Sequence, residues 1–136
     1  MIINAENLII GRLASYAAKQ ALLGEQVEII NSEKAVITGD KQVLLADYRK
    51  KLVMGTPYKG PFFPRTPDKI LKRTIRGMLP YKQPKGRNAL KRIKCHIGAP
   101  DEIKGHPITI ENANIKKTKS LRYISLEKLS KLLRGK

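Results

Sequence analysis

The sequence holds a single cysteine, Cys95, so no disulfide can form within it, and a reducing cytoplasm is the expected setting. No uninterrupted apolar run reaches the roughly 18 residues that a membrane-spanning helix needs. The opening residues, Met1-Ile2-Ile3-Asn4, lack the basic patch and long apolar stretch of a secretory signal. Internal repeats are absent, and no low-complexity tract is long enough to act as a linker. Acid is scarce as well: 11 Asp plus Glu stand against 28 Lys plus Arg, for a formal net charge of +17.

What is present is enough apolar material for a core. At 136 residues and 41% hydrophobic content, one domain spanning 1–136 is expected rather than a disordered chain. The charge is unevenly placed. Residues 1–48 carry 4 basic and 6 acidic side chains, residues 49–94 carry 15 basic side chains and one acid, Asp68, and residues 95–136 carry 9 basic and 4 acidic. A near-neutral body thus presents a polycationic middle segment, which repels itself unless a polyanion neutralises it. Nucleic acid is the leading partner on this ground and an anionic membrane surface the second.

The pattern along the chain is α/β. Met1–Asn4 reads as a short buried strand. Leu13, Ala14, Ala17, Ala18, Ala21 and Leu22 recur at helical spacing, with Gly24 where a left-handed cap belongs. Val27–Ile30 reads as a strand that completes a βαβ unit. Ala35–Thr38 fits either a strand or a turn of helix. Asp40 is placed to cap a second helix reaching about Met54, with Leu44, Tyr48 and Leu52 on one face. Three prolines and two glycines keep 55–65 out of regular structure. Thr66-Pro67-Asp68 opens a further helix as cap, first residue and dipole partner, and Ile70, Leu71, Ile75 and Met78 are assigned to its core side. After a loop at 80–86 come a helix near 87–92, a strand at 93–97 stopped by Gly98-Ala99-Pro100, strands at 106–110 and 121–124, and a last helix. That helix is capped by Ser125 and turns Leu126, Leu129, Leu132 and Leu133 inward.

The sharpest chemical signal is in the helix after Pro67. Lys69, Lys72, Arg73 and Arg76 form one stripe at i, i+3, i+4 and i+7. Solvated faces normally mix charges of both signs, and this one does not, so a phosphate backbone is the natural counterpart. Lys59 and Arg65 precede the stripe, and Lys82, Lys85, Arg87, Lys91, Arg92 and Lys94 follow it. Gly60, Gly77 and Gly86 are candidates for close backbone approach to phosphate. Among the interleaved aromatics, Tyr58 and Tyr81 are the stacking candidates for unpaired bases, while Phe62 and Phe63 are the better core pair. No zinc-finger, helix-turn-helix or RNA-recognition pattern supplies sequence readout.

Catalytic groupings are nearly missing. Cys95, His96 and His106 lack zinc-site spacing, and adjacent strand residues point to opposite faces, so Cys95 and His96 form no nucleophile–base pair. Gly55–Gly60 lacks the Gly-Lys-Ser/Thr ending of a phosphate loop. The acids Glu6, Glu25, Glu28, Glu33, Asp40 and Asp47 are scattered. No metal, cofactor or small-molecule substrate is expected. Two other classes stand beside an RNA-binding role: a general nucleic-acid-binding module, and a small RNA-processing enzyme with an acid–base cluster.

Particular motifs narrow the field. Gly11-Arg12-Leu13-Ala14-Ser15, Ala18-Lys19 and Leu22-Leu23-Gly24 resemble the first helix of the ribosomal protein L13 family, and Ile30–Gly39 resembles that family's next strand and turn. Arg76-Gly77-Met78-Leu79-Pro80, with Gly60-Pro61 and Pro64-Arg65 before it and Lys85-Gly86 after it, is the most specific match. Together they span roughly 1–100 in order, in the form of the archaeal and eukaryotic branch. Asn4 stands where Asp is usual. The resemblance implies a three-layer α/β/α body with a mostly parallel sheet of about four strands. It also implies a non-catalytic role in the large ribosomal subunit, in contact with its ribosomal RNA and neighbouring proteins and active early in assembly. Arg65, Arg73, Arg76, Lys82, Lys85 and Arg87 are the implied RNA contacts. Met78, Leu79 and Pro80 end the helix, and Arg12 either touches RNA or locks the first helix. The extension over 101–136 is less defined.

Overall fold

Small side chains set the packing distance at the centre of the molecule. Ala14, Ala17, Ala18 and Ala21 are all buried on one side of helix α1 (Ile10–Leu22), which lets neighbouring elements approach closely. The computed structural model describes residues 1–103, 105–119 and 122–134. Strand β1 (Ile2–Asn4) precedes α1, and strand β2 (Val27–Ile30) follows it, pairing parallel to β1 with Ile3 opposite Ile29. The helix ends as the sequence implies: Leu23 donates to the Lys19 carbonyl, and Gly24 takes φ +100°.

Strand β3 (Val36–Thr38) resolves the ambiguous Ala35–Thr38 segment as extended chain. Helix α2 (Lys41–Val53) then starts from Asp40, whose carboxylate accepts the Gln42 N–H at 3.0 Å. Only part of Leu44, Leu45, Tyr48 and Leu52 reaches the core, so α2 lies at the periphery. Helix α3 (Pro67–Gly77) packs on α1 and on strand β4 (Ile93–Cys95), and helix α4 (Pro84–Lys91) also packs on α1. Strand β4 runs parallel to β2, giving the order β1-β2-β4. The chain at Ile108 adds a fourth parallel neighbour beside β1, accepting from Asn4 at 2.9 Å and donating to Ile2 at 2.8 Å. Strand β5 (Tyr123–Ser125) pairs antiparallel with β3, and helix α5 (Leu126–Leu133) follows under a Ser125 cap. Ile3, Val27, Ile29 and Ile93 meet α1 and α3 in one core with Leu13, Leu71 and Ile75.

Several expectations need correction. Helix α4 begins at Pro84, earlier than expected, because proline needs no N–H partner at the first turn. Strand β4 stops at Cys95, because Asn31 turns left-handed (φ 55°) and donates to the Gly98 carbonyl, which breaks the regular ladder beyond Ile29. The strand expected over 106–110 is a single bridge at Ile108, beside a β1 that itself ends at Asn4. In the strand expected over 121–124, Leu121 lies outside the described residues. Met78 is exposed, since α3 ends at Gly77 and turns it off the buried face. Leu132 is only half-buried. Thr66 precedes Pro67 as expected, yet its hydroxyl caps nothing and is buried without a partner. Asn4 fills the usual Asp position well: its Oδ1 accepts from the Glu6 N–H and from Asn31 Nδ2, both at 3.1 Å.

Candidate nucleic-acid interface

Helix α3 is where core and charge meet on one element. Its inward side carries Ile70, Leu71 and Ile75, all buried, which fixes the rotation of the helix and turns Lys69, Lys72, Arg73 and Arg76 outward together. These four basic side chains border one shallow groove, with Phe62 and Pro64 of the 55–65 loop across from them. None of the three ion pairs among the described residues (Lys117–Glu111, Arg122–Asp40 and Lys131–Glu127) involves a residue of 49–94. Asp68, the segment's one acid, has its Oδ1 buried without a hydrogen-bond partner.

Two of the arginines are held in place by rings. The Arg73 guanidinium lies 4.0 Å from the centroid of Phe63, and that of Arg76 lies 4.8 Å from the centroid of Tyr81. Lys51, from the last turn of α2, sits 5.0 Å from Tyr48 and 5.9 Å from Phe63. Such contacts contribute about 0.5–1 kcal/mol at exposed sites and reduce the freedom a cation must give up on meeting a ligand. The expectation that Phe62 and Phe63 form a core pair is therefore corrected. Phe63 is a platform for cations, and Phe62 is 72% exposed, because the extended loop sends neighbouring side chains opposite ways. Tyr58 is 92% exposed at the loop tip, and Tyr81 is partly covered by Arg76. The sequence reading places Tyr48 only on the apolar face of α2 and does not single out Lys51; the Lys50-Lys51 pair in the last turn of α2, beside the basic loop, is the available signal.

The loop itself is anchored from below. Buried Ser130 of α5 donates its hydroxyl to the carbonyl of Arg65, so Arg65 keeps its side chain exposed on a fixed backbone. The Lys59 N–H bonds the Thr56 hydroxyl at 3.0 Å, and Gly60 donates to the Thr56 carbonyl at 2.8 Å. Gly60 and Gly86 do not offer backbone to phosphate as expected: both are buried against other backbone. A Cβ on Gly86 would lie 1.9 Å from the Pro80 oxygen, and one on Gly60 would lie 2.6 Å from the Thr56 oxygen. Gly77 is open and keeps that possibility.

The remaining basic residues divide by task. Lys82, Lys85 and Lys91 are exposed on or beside α4. Arg87 bonds the carbonyls of Tyr81 (3.3 Å) and Lys82 (3.0 Å), tying down the turn between α3 and α4. Arg92 donates to the Ala21 carbonyl at 3.0 Å, at the end of α1 where a cation also meets the negative pole of the helix. Lys94 is exposed on β4 between Ile93 and Cys95, so it points to the sheet face opposite the one α3 covers. Arg12 donates to the Asn112 carbonyl at 2.9 Å, locking α1 to a distant segment.

The chemistry available here is electrostatic. Burial pushes the Cys95 thiol up to about 12, with Lys72 opposing and Asp68 adding to the shift, so it is protonated and unreactive at neutral pH. Among the described residues, no three His, Cys, Asp or Glu side chains gather as a metal site, and no helix is long and apolar enough to cross a membrane.

The chain as a whole is similar to known proteins. The model of the family described as ribosomal protein L13 matches residues 1–102. The large ribosomal subunit protein uL13 of Methanosarcina barkeri is 47% identical over 137 aligned positions, covering 99% of this chain and 98% of its own length. That of Methanocaldococcus jannaschii is 46% identical, covering 99% and 98%. That of Methanopyrus kandleri is 44% identical, covering 97% and 85%, so the likeness extends through the C-terminal third.

Proposed function

This chain belongs to the ribosomal protein L13 family, structural components of the large ribosomal subunit and not enzymes, and from that premise we propose that it grips large-subunit ribosomal RNA. The gripping face is the 55–65 loop, the outer side of α3 and the turn into α4. Lys59, Arg65, Lys69, Lys72, Arg73, Arg76, Lys82, Lys85 and Lys91 meet phosphates there. Arg87 and Arg92 add charge while bonding internal carbonyls, Lys94 serves the opposite sheet face, and Tyr58 and Tyr81 stack on unpaired bases. The whole of 1–136 acts as one domain, works in the cytoplasm with the ribosome, joins the subunit early in assembly and touches neighbouring large-subunit proteins.

One observation carries this reading: the α3 stripe has no anionic partner within the described residues, although its like-charged neighbours repel one another. A phosphate backbone converts that repulsion into attraction and releases counterions. Likeness to large-subunit proteins along nearly the full chain weighs against a general nucleic-acid-binding module. Sucrose-gradient sedimentation of cell lysate tests it: the protein is expected with large subunits at low salt and is released by a high-salt wash. Finding it in the soluble pool under both conditions contradicts the proposal.

A further inference from the structure

Phe62 has no structural occupation. It is 72% exposed, while its neighbour Phe63 lies under Arg73. The two rings serve two clefts that share Pro64 and Arg73 as a common wall. Phe63 faces the cleft with Tyr48 and Lys51, and Phe62 faces the groove bordered by Lys69, Lys72 and Arg76. That second groove has a volume of about 350 Å³, at the small end of the roughly 300–1,000 Å³ typical of small-ligand sites. Its walls combine one aromatic ring, open on its face, with four cations and no acid.

A ligand that satisfies both halves needs a flat π-surface and an adjoining anion. A paired duplex offers only the anion, because its bases are stacked inside the helix. An unpaired nucleotide offers both. We propose that this groove takes a single unstacked nucleotide of the RNA, with its base on Phe62 and its phosphate against Lys69, Lys72 and Arg76. Arg73, steadied by Phe63, is part of the wall between the two clefts. The inference rests on the RNA-binding reading above and adds to it a subsite for single-stranded RNA centred on Phe62, separate from the stacking given to Tyr58 and Tyr81.

The test uses the full chain and three RNA probes read by fluorescence anisotropy: a short oligoadenylate, an abasic ribose-phosphate strand of the same length, and an A-form duplex of matched charge. Oligoadenylate is expected to bind tightest. Phe62→Ala should weaken oligoadenylate binding by about 5- to 150-fold, the range for losing one stacked base, and leave the abasic strand unaffected. Phe62→Leu, which keeps apolar bulk without a π-face, should behave like the alanine variant. Because the ring is exposed, both variants should keep the wild-type unfolding midpoint. Equal binding of oligoadenylate and the abasic strand by the native protein, or undiminished oligoadenylate binding by Phe62→Ala, overturns the inference. If steep salt dependence persists in that case, the phosphate-binding reading stands without the subsite. Failure of the native protein to bind any of the three probes overturns both.

Discussion

Gly86 has room for a hydrogen and nothing more. An added methyl would press on the Pro80 carbonyl, so Gly86→Ala must move α4 away from the end of α3. Overpacking of this kind costs about 1–3 kcal/mol, and the variant should unfold at a correspondingly lower urea concentration; an unchanged midpoint would show that the turn yields freely. Cys95 gives a second prediction. Its thiol is raised from an ordinary 9.0 to about 12 by burial, so the folded state holds this proton more tightly than the unfolded state does. Its contribution to stability is therefore full below pH 9 and declines as pH rises from 9 towards 12. Iodoacetamide at pH 8 should leave the native thiol unmodified and label it on unfolding, whereas rapid labelling of the native protein would refute the burial argument. At this scale the sequence was partly legible. Asp40 and Gly24 act through local backbone chemistry and take the expected roles. Gly86, Gly60 and Phe62 depend on what the rest of the chain brings beside them, which a local reading cannot supply.

At the scale of elements, α3 determines the behaviour of the site. Its stripe contains four neighbouring like-charge pairs, 69/72, 69/73, 72/76 and 73/76, which together cost on the order of 1–2 kcal/mol in the absence of a polyanion. Raising ionic strength screens them, so the free protein should melt at a higher temperature in moderate salt than in low salt. A falling or constant melting temperature would mean that the stripe is already neutralised internally. Reversing Arg73 and Arg76 to Glu should abolish incorporation into large subunits. The inward residues Ile70, Leu71 and Ile75 are untouched, so the circular dichroism spectrum should be preserved. Normal co-sedimentation of that double variant would remove α3 from the interface. Helical periodicity made α1, α3 and α5 readable, because each buries one stripe of residues that recurs every turn. The short segments were harder: β4 and the bridge at Ile108 exist only through their partners, and their extents follow from pairing rather than from their own residues.

Over the whole molecule, charge and fold are separated along the chain and rejoined in space. The near-neutral first third supplies β1, α1 and β2, the frame on which α3 and α4 pack. The cationic middle supplies the outer surface of those helices and the loop that Ser130 anchors from the C-terminal helix. Composition alone pointed to a polyanion. The order of motifs from Gly11 to Gly86 pointed to a ribosomal family, and the relatives extend that likeness through the less defined 101–136 region. The central claim is that this face holds large-subunit ribosomal RNA chiefly through phosphates. Its most direct test is the affinity of the purified protein for that RNA as a function of salt. The account predicts a steep linear fall of log affinity against log salt, with a slope of roughly −0.7 to −0.9 for each phosphate engaged, and a shallower slope for the Arg73→Glu, Arg76→Glu variant. A nearly flat line for the native protein would contradict it.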